Sequence, residues 1–436
     1  MKVQGRLLLL FALSAVVMRL HAAESVAGGA ELTPDLPPSD RVAAVLERHP
    51  SVLAARAGLR YEESNRERLR LGPYEPAIRL GAHQRRDPSV NFNEWDVALE
   101  RSLRSGDKSR LDGEIGEQGV TQAKFGVGDA MHEAARGLLR AWFAVVREAA
   151  AEREWKVQAA LLARQAELTR KRAAAGDAPR MEVGLAEASL SQAEGAASLA
   201  LGRLRAMRAE LAALFPAIDA PAILPLPVPQ PLGQTEAYFR DRILEHNHEL
   251  AVARAEVGRR RLMATRARSD RAPDPTVGVR FSSERSGNEK IAGVYVSIPI
   301  PGAARAAVAG GAQAQTDVAS QREAALQRRV AAEIASVYAS AAGAYASWEG
   351  ASAAARGMLR NADLVARSYS LGEANLPDVI TARRLAHEAA LAAGVLQVDA
   401  AELRYRLLLD AHLLWPLDAD EDDEKPTPAG RPRVSR

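Results

Sequence analysis

The chain has 436 residues, with 58 Lys and Arg against 55 Asp and Glu, a formal charge of +3 and a pI near 9.2. This balance gives no bulk attraction for nucleic acid. The absence of cysteine excludes disulfides, thiolate chemistry, cysteine-bound metals and a lipid-anchoring cysteine.

Lys2 and Arg6 precede an apolar run from Leu7 to Met18, and Ala22 and Ala23 offer a cleavage site, which predicts an export signal over residues 1–23. A spanning helix needs about 20 apolar residues. The run is shorter, so the mature chain is expected to enter a membrane only as strands. Residues 24–40 are expected to be extended. Arg41 to about Leu71 has helical spacing, ended by Pro73 and Pro76.

Two alternating segments follow. In the first, Ile78, Leu80 and Ala82 share a face opposite Arg79, Gly81 and His83; in the second, Trp95, Val97 and Leu99 oppose Glu94, Asp96 and Glu100. Period two predicts strands with one apolar and one polar face. The polar connector between them runs through Arg85, Arg86, Asp87, Pro88 and Asn91, and Trp95 is expected at a strand flank, where it could join an interfacial aromatic belt.

From Gly106 to Gly176 the chain has no proline and is rich in strong helix formers. About 70 residues at 1.5 Å each would span about 100 Å, the length of a coiled-coil rod. Gly176, Asp177 and Pro179 spell a helix–turn–helix tip, with Asp177 as N-cap, and a second helix returns to about Leu214.

After a proline-rich linker over residues 217–235 the order repeats. A helix is predicted from Glu236 to Arg268, then a strand with Val277, Val279 and Phe281 on one face. The turn Ser286-Gly287-Asn288 leads to a strand carrying Val294, Val296, Ile298 and Ile300. A second proline-free stretch follows to a tip with Gly372, Glu373 and Pro377, and its return helix is expected to end at Trp415. Residues 417–436 read as a disordered tail.

The doubling is explicit. Ala166, Leu168, Gly176, Glu182, Val183 and Ala186 recur about 196 residues later as Ala362, Leu364, Gly372, Asp378, Val379 and Ala382. The repeats are 41–216 and 236–416. Each has too few strands to close a sheet. In hydrocarbon every backbone amide must be paired, so only a closed barrel can cross, and three copies of the chain would pool twelve strands. The competing reading is two ordinary hairpins over a small soluble sandwich.

This order of elements, over about Arg41 to Trp415, resembles the TolC-type outer-membrane efflux proteins. Ala272-Pro273-Asp274-Pro275 and the run Val296-Ser297-Ile298-Pro299-Ile300-Pro301-Gly302 are similar to the heavy-metal (cobalt–zinc–cadmium) branch. The resemblance implies a mixed α and β membrane protein, a homotrimer whose 12-stranded β-barrel continues into a 12-helix periplasmic tunnel. It implies outer-membrane lipid, a periplasmic adaptor (membrane fusion) protein and an inner-membrane resistance–nodulation–division pump as partners. It implies a passive exit duct that uses no cofactor and does no bond chemistry, and heavy-metal cations are one substrate class it points to. A duct for type I protein secretion and a non-pore periplasmic scaffold are the alternatives.

The resemblance also carries gate positions. Asp378 matches an acidic aperture position, Tyr369 the gate tyrosine, and Glu182 is the first-repeat counterpart of Asp378. Thr381 stands where a second acid would be, and Ala374 where a linking arginine sits. The tip turns at Gly176, Asp177, Pro179, Gly372, Glu373 and Pro377 are expected adaptor contacts.

Enzyme motifs are incomplete. His132-Glu133 and His387-Glu388 begin like a zinc-protease motif, but Arg136 and Leu391 occupy the second His position. His246 and His248 alternate at a helix start and read as solvent-exposed, so no metal site is expected.

Overall fold

The computed structural model describes residues 35–86, 88–221 and 225–417. The signal segment, most of the extended N-terminal segment and nearly all of the tail lie outside the described residues. Two short helices, α1 (Ser39–Glu47) and α2 (Pro50–Leu71), lead into strands β1 (Ala77–Arg86) and β2 (Asn91–Ser102). A helical hairpin follows, α3 (Gly106–Ala174) and α4 (Arg180–Leu214). The second repeat then runs α5 (Glu236–His246), α6 (His248–Ser269), β3 (Thr276–Glu284), β4 (Glu289–Ser297), α7 (Ala303–Ser370) and α8 (Leu376–Asp410).

The repeat is metrically close. α3 and α7 have 69 and 68 residues, and α4 and α8 have 35 each. At 1.5 Å per residue the longer arms reach about 100 Å. Both tips turn through a left-handed glycine, Gly176 at φ 80° and Gly372 at φ 81°, a conformation open to Gly at no steric cost. In each, the next amide bonds back to the helix, Asp177 N to Arg172 O and Glu373 N to Ser368 O, both 2.9 Å, which closes a Schellman cap.

Heptad spacing holds the rods together. Ala186, Ala193 and Ala200 on α4, and Val379, Ala386, Ala393 and Ala400 on α8, are buried at seven-residue intervals. A seven-residue repeat on a 3.6-residue helix imposes a left-handed supercoil, and alanine lets the axes approach closely. Large side chains gather where α1, α2 and the linker wrap the hairpins: Leu138, Trp142, Phe143, Leu211, Phe215, Tyr405 and Trp415 form one core with Val42, Leu46 and Val52. Trp142 Nε1 donates to the Asp35 carbonyl at 2.8 Å and the Tyr405 hydroxyl to Asp35 Oδ2 at 2.9 Å.

The strands form a single antiparallel sheet, ordered β1-β2-β3-β4. The two repeats therefore join edge to edge through β2 and β3. One row of the register reads Ile78, Leu99, Val279, Val294, and the next reads Leu80, Val97, Phe281, Ala292. Among the described residues no helix is long and apolar enough to cross a membrane.

Several expected boundaries move, each for a local reason. The single helix predicted from Arg41 starts at Ser39, inside the segment expected to be extended, and breaks at His49, because Pro50 disfavours helical geometry in the residue before it. The helix expected over 236–268 breaks at Asn247, whose side chain accepts the Leu250 amide at 2.8 Å and caps α6. The final helix stops at Asp410, with His412 at φ 57° and the Leu413 amide bonded to Leu408 O at 2.8 Å; Trp415 lies beyond it. Ile298 and Ile300 fall outside β4, because Thr276 pairs with Ser297 and the residue before Thr276 is Pro275, which has no amide to continue the ladder. Arg85, Arg86 and Asn91, expected in the connector, lie within the strands. Trp95 therefore sits inside β2 and not at its flank, its ring 5.8 Å from that of Phe281. Asp177 is not the N-cap of α4; Pro179 is, and Asp177 binds Arg172.

Candidate functional site

The sheet presents two contrasting faces. Ile78, Leu80, Trp95, Val97, Leu99, Val279, Phe281, Val294 and Val296 stand exposed on one side, from 37% at Val97 to 85% at Val294. Val277 belongs to the same face, opposite Arg101 and Val296. Leaving so much contiguous apolar area against water is costly at about 25 cal/mol per Å², so this face calls for a non-aqueous cover.

The other face is ionic. Arg79 pairs with Glu100 at 2.6 Å, and Arg85 bridges Glu94 at 3.2 Å and Glu284 at 2.9 Å. His83 reaches Glu94 at 3.3 Å, and Arg280 reaches Asp96 at 3.6 Å. These links run across the strands from β1 to β3 and let polar residues extend the ladders beyond the alternating core.

A collar fixes the sheet to the rods. Arg104, just after β2, donates to the Leu69 and Arg70 carbonyls at the end of α2, both at 2.7 Å, and to Asp112 at 2.8 Å. Asp112 also accepts from Arg266 Nε at 2.7 Å. Alongside, Lys108 Nζ donates to the Ala272 carbonyl at 2.7 Å and to Asp274 at 2.9 Å, and the Tyr74 hydroxyl donates to Asp274 at 2.7 Å. Burial pushes the Asp274 carboxyl up, but the Lys108 and Tyr74 bonds outweigh it and hold the group below its ordinary range. The Ala272–Pro275 segment singled out in the sequence is thus the pinned connector between α6 and β3.

At the opposite end of the rods the two hairpin tips meet. Tyr369, at the end of α7, is buried at 2% exposure among Ala166, Ala186, Leu376 and Val379. Its hydroxyl donates to Glu182 Oε2 at 3.2 Å, a link from the second hairpin to the first. The Arg172 guanidinium lies over the Tyr369 ring at 4.7 Å and bonds Asp177 at 2.8 Å; that bond raises its pKa. The family resemblance assigns Tyr369 to an expected gate but gives no role to Arg172, whose only sequence signal is a basic residue in the last turn of α3.

Asp378 is exposed in the first turn of α8, and its amide is capped by Asn375 Oδ1 at 2.9 Å. Thr381 is exposed one turn on, and Gly372, Glu373 and Pro377 are exposed at one tip, as Gly176, Asp177 and Pro179 are at the other. Of the incomplete zinc-protease pairs, His387 packs edge-on against Trp155 at 4.3 Å and burial lowers its pKa. Neither His246 nor His248 is solvent-exposed as expected; both are half-buried.

A strand pair precedes each of two long helical hairpins, and one face of the joint sheet is apolar and bare. The chain shares this fold with solved channels. Campylobacter jejuni CmeC superposes with a TM-score of 0.70 at 14% identity, over 86% of this chain and 85% of that one. Vibrio cholerae VceC gives 0.70 at 16% identity, over 85% and 95%. The open state of Neisseria gonorrhoeae MtrE gives 0.60 at 20% identity, over 87% and 89%. No protein-family model matches the chain, and no curated protein matches it in sequence.

Proposed function

We propose that the chain is the outer-membrane component of a tripartite efflux pump, a passive exit duct that performs no bond chemistry. The carrying observation is the sheet: four strands with an uncovered apolar face on one side and cross-strand ion pairs on the other. Twelve strands from three copies would close into a barrel with the apolar face towards lipid and the ionic face lining water. The hairpins would continue it as a twelve-helix tunnel through the periplasm. The adaptor would engage the exposed tips, and an inner-membrane resistance–nodulation–division pump would supply and select the substrate, heavy-metal cations being the class suggested by the Asp274 and Ser297 segments.

The tip supports a gate in which Tyr369 ties the second hairpin to the first through Glu182. By the internal symmetry, the position equivalent to Tyr369 is Ala173, and the equivalent of Glu182 is Asp378. The joint between neighbouring protomers would therefore meet an exposed carboxylate with no tyrosine to hold it. Three copies of Asp378 around an axis would focus negative potential and favour cations.

The test is fractionation followed by bilayer recording. The full chain should sediment with the outer membrane, run as a detergent-resistant trimer and conduct ions. Recovery as a soluble periplasmic monomer without conductance would instead support the scaffold. Conductance together with export of a co-expressed polypeptide, and no solute efflux, would favour type I secretion.

A further inference from the structure

Three histidines remote in sequence meet where the repeats adjoin. His132 comes from the middle of α3, His248 is the first residue of α6, and His412 follows the end of α8. Each offers one ring nitrogen, and the three nitrogens lie within 4.8 Å of one another. The ring centroids are 4.1 Å apart for His132 and His412, 5.3 Å for His132 and His248, and 5.2 Å for His248 and His412. His132 is buried and the other two are half-buried, so the group has one wall in the protein and one side within reach of solvent.

We propose that His132, His248 and His412 form a binding site for one divalent transition-metal cation per chain. Three neutral imidazoles and an open fourth position suit Zn²⁺, Co²⁺, Ni²⁺ or Cu²⁺ and not Ca²⁺ or Mg²⁺, which take oxygen ligands. Tetrahedral nitrogens at about 2.0–2.1 Å from a metal stand about 3.3 Å apart, and rotation of the two half-buried rings closes that gap.

A further feature points the same way. Gly128 lies one turn before His132, and a Cβ there would sit 2.7 Å from Cε1 and Nδ1 of His248. An interior helix position thus forgoes a side chain, at a cost to helix stability, and that space is filled by the His248 ring.

The fold does not require imidazoles at this joint. α2 and α6 have 22 residues each and start at Pro50 and His248. α4 and α8 end at C-caps Phe215 and Ala411, followed by Pro216 and His412. The first repeat therefore builds the equivalent corner with two prolines. The cation would pin the end of the last helix to α3 and α6, and the site is complete within one chain whether or not the chain forms a duct.

The test uses tag-free, full-length protein in detergent and Co²⁺ alone as probe. The wild type should bind one Co²⁺ per chain with visible ligand-field bands that Zn²⁺ abolishes, and Zn²⁺ should raise its thermal midpoint. His412→Asn keeps a residue that tolerates positive φ and should weaken Co²⁺ binding at least about 100-fold. His132→Gln should do the same, while His246→Gln, outside the trio, should bind as the wild type does. Circular dichroism checks that each variant folds. Absence of Co²⁺ uptake by the wild type, or equal uptake by folded His412→Asn, would overturn the assignment.

Discussion

Replacing Tyr369 by Phe removes one hydroxyl and leaves the ring in its buried place beneath Arg172. The lost bond runs to a carboxylate at 3.2 Å, and hydrogen bonds to charged groups contribute about 1.5–3 kcal/mol. The distance is long and Glu182 is half-exposed and can take up water, so about 1 kcal/mol per chain is the better figure. If three tips release together, the sum is about 3 kcal/mol, a shift of roughly 100-fold in the opening equilibrium. Purified wild type and Tyr369→Phe, recorded in planar bilayers at equal protein load, should differ in the fraction of time spent at high conductance. Thermal unfolding should change little, because the apolar contacts with Leu376 and Val379 persist. Tyr369→Ala, by contrast, would remove a buried aromatic ring and cost about 3–5 kcal/mol of stability, confusing gating with folding. Identical open fractions in wild type, Tyr369→Phe and Glu182→Ala would refute the tie.

Leu80→Arg places a charge on the bare apolar face. If that face meets lipid, the cost is about 2–4 kcal/mol near the bilayer centre and the yield of outer-membrane trimer should fall, whereas Arg79→Gln on the opposite face should assemble; equal yields would argue against a lipid-facing surface. Asp378→Ala should leave the trimer intact and reduce cation selectivity, measured as a shift in reversal potential, and an unchanged potential would return Asp378 to a helix-start acid complementing the dipole. Asp274 gives a pH dependence. Its carboxyl is held below its ordinary range in the folded chain, so it contributes stability above the unfolded value of about 3.9 and loses it as pH falls through the folded value. Asp274→Asn should therefore be less stable than wild type at neutral pH and approach it under acid denaturation below about pH 4; a constant difference at all pH values would sink that account.

The local elements could be read in advance where a pattern had a strict period or a steric cause. The proline-free stretches gave the long arms, the two glycines gave the tips, and alternation gave every strand's faces. The boundaries that moved did so because partners or caps intervened. β2 reaches back to Asn91 because Arg86 lies opposite it, and ion pairs through Glu94 and Glu284 make those polar residues acceptable in a strand. Ile298 has the right side chain for β4 but faces Pro275, which has no amide to offer. Asn247 breaks a helix that composition alone would continue.

The site divides in the same way. The family resemblance marks Tyr369 and the internal repeat marks Glu182, 187 residues apart in the chain, but their bond and the Arg172 guanidinium above the ring require the hairpins to lie side by side. In the sequence His248 stands beside His246, whereas in the fold its ring lies near those of His132 and His412. No sequence period joins those three, since two come from different helices and one from the turn after a third, in opposite repeats. By itself the sequence determined the doubled order of strand pairs and helical hairpins, because proline, glycine and hydrophobic period act over a few residues. Only the tertiary structure decided which positions of one repeat touch the other, because those contacts depend on the superhelical packing of arms about 100 Å long, where a shift of one turn would exchange every partner.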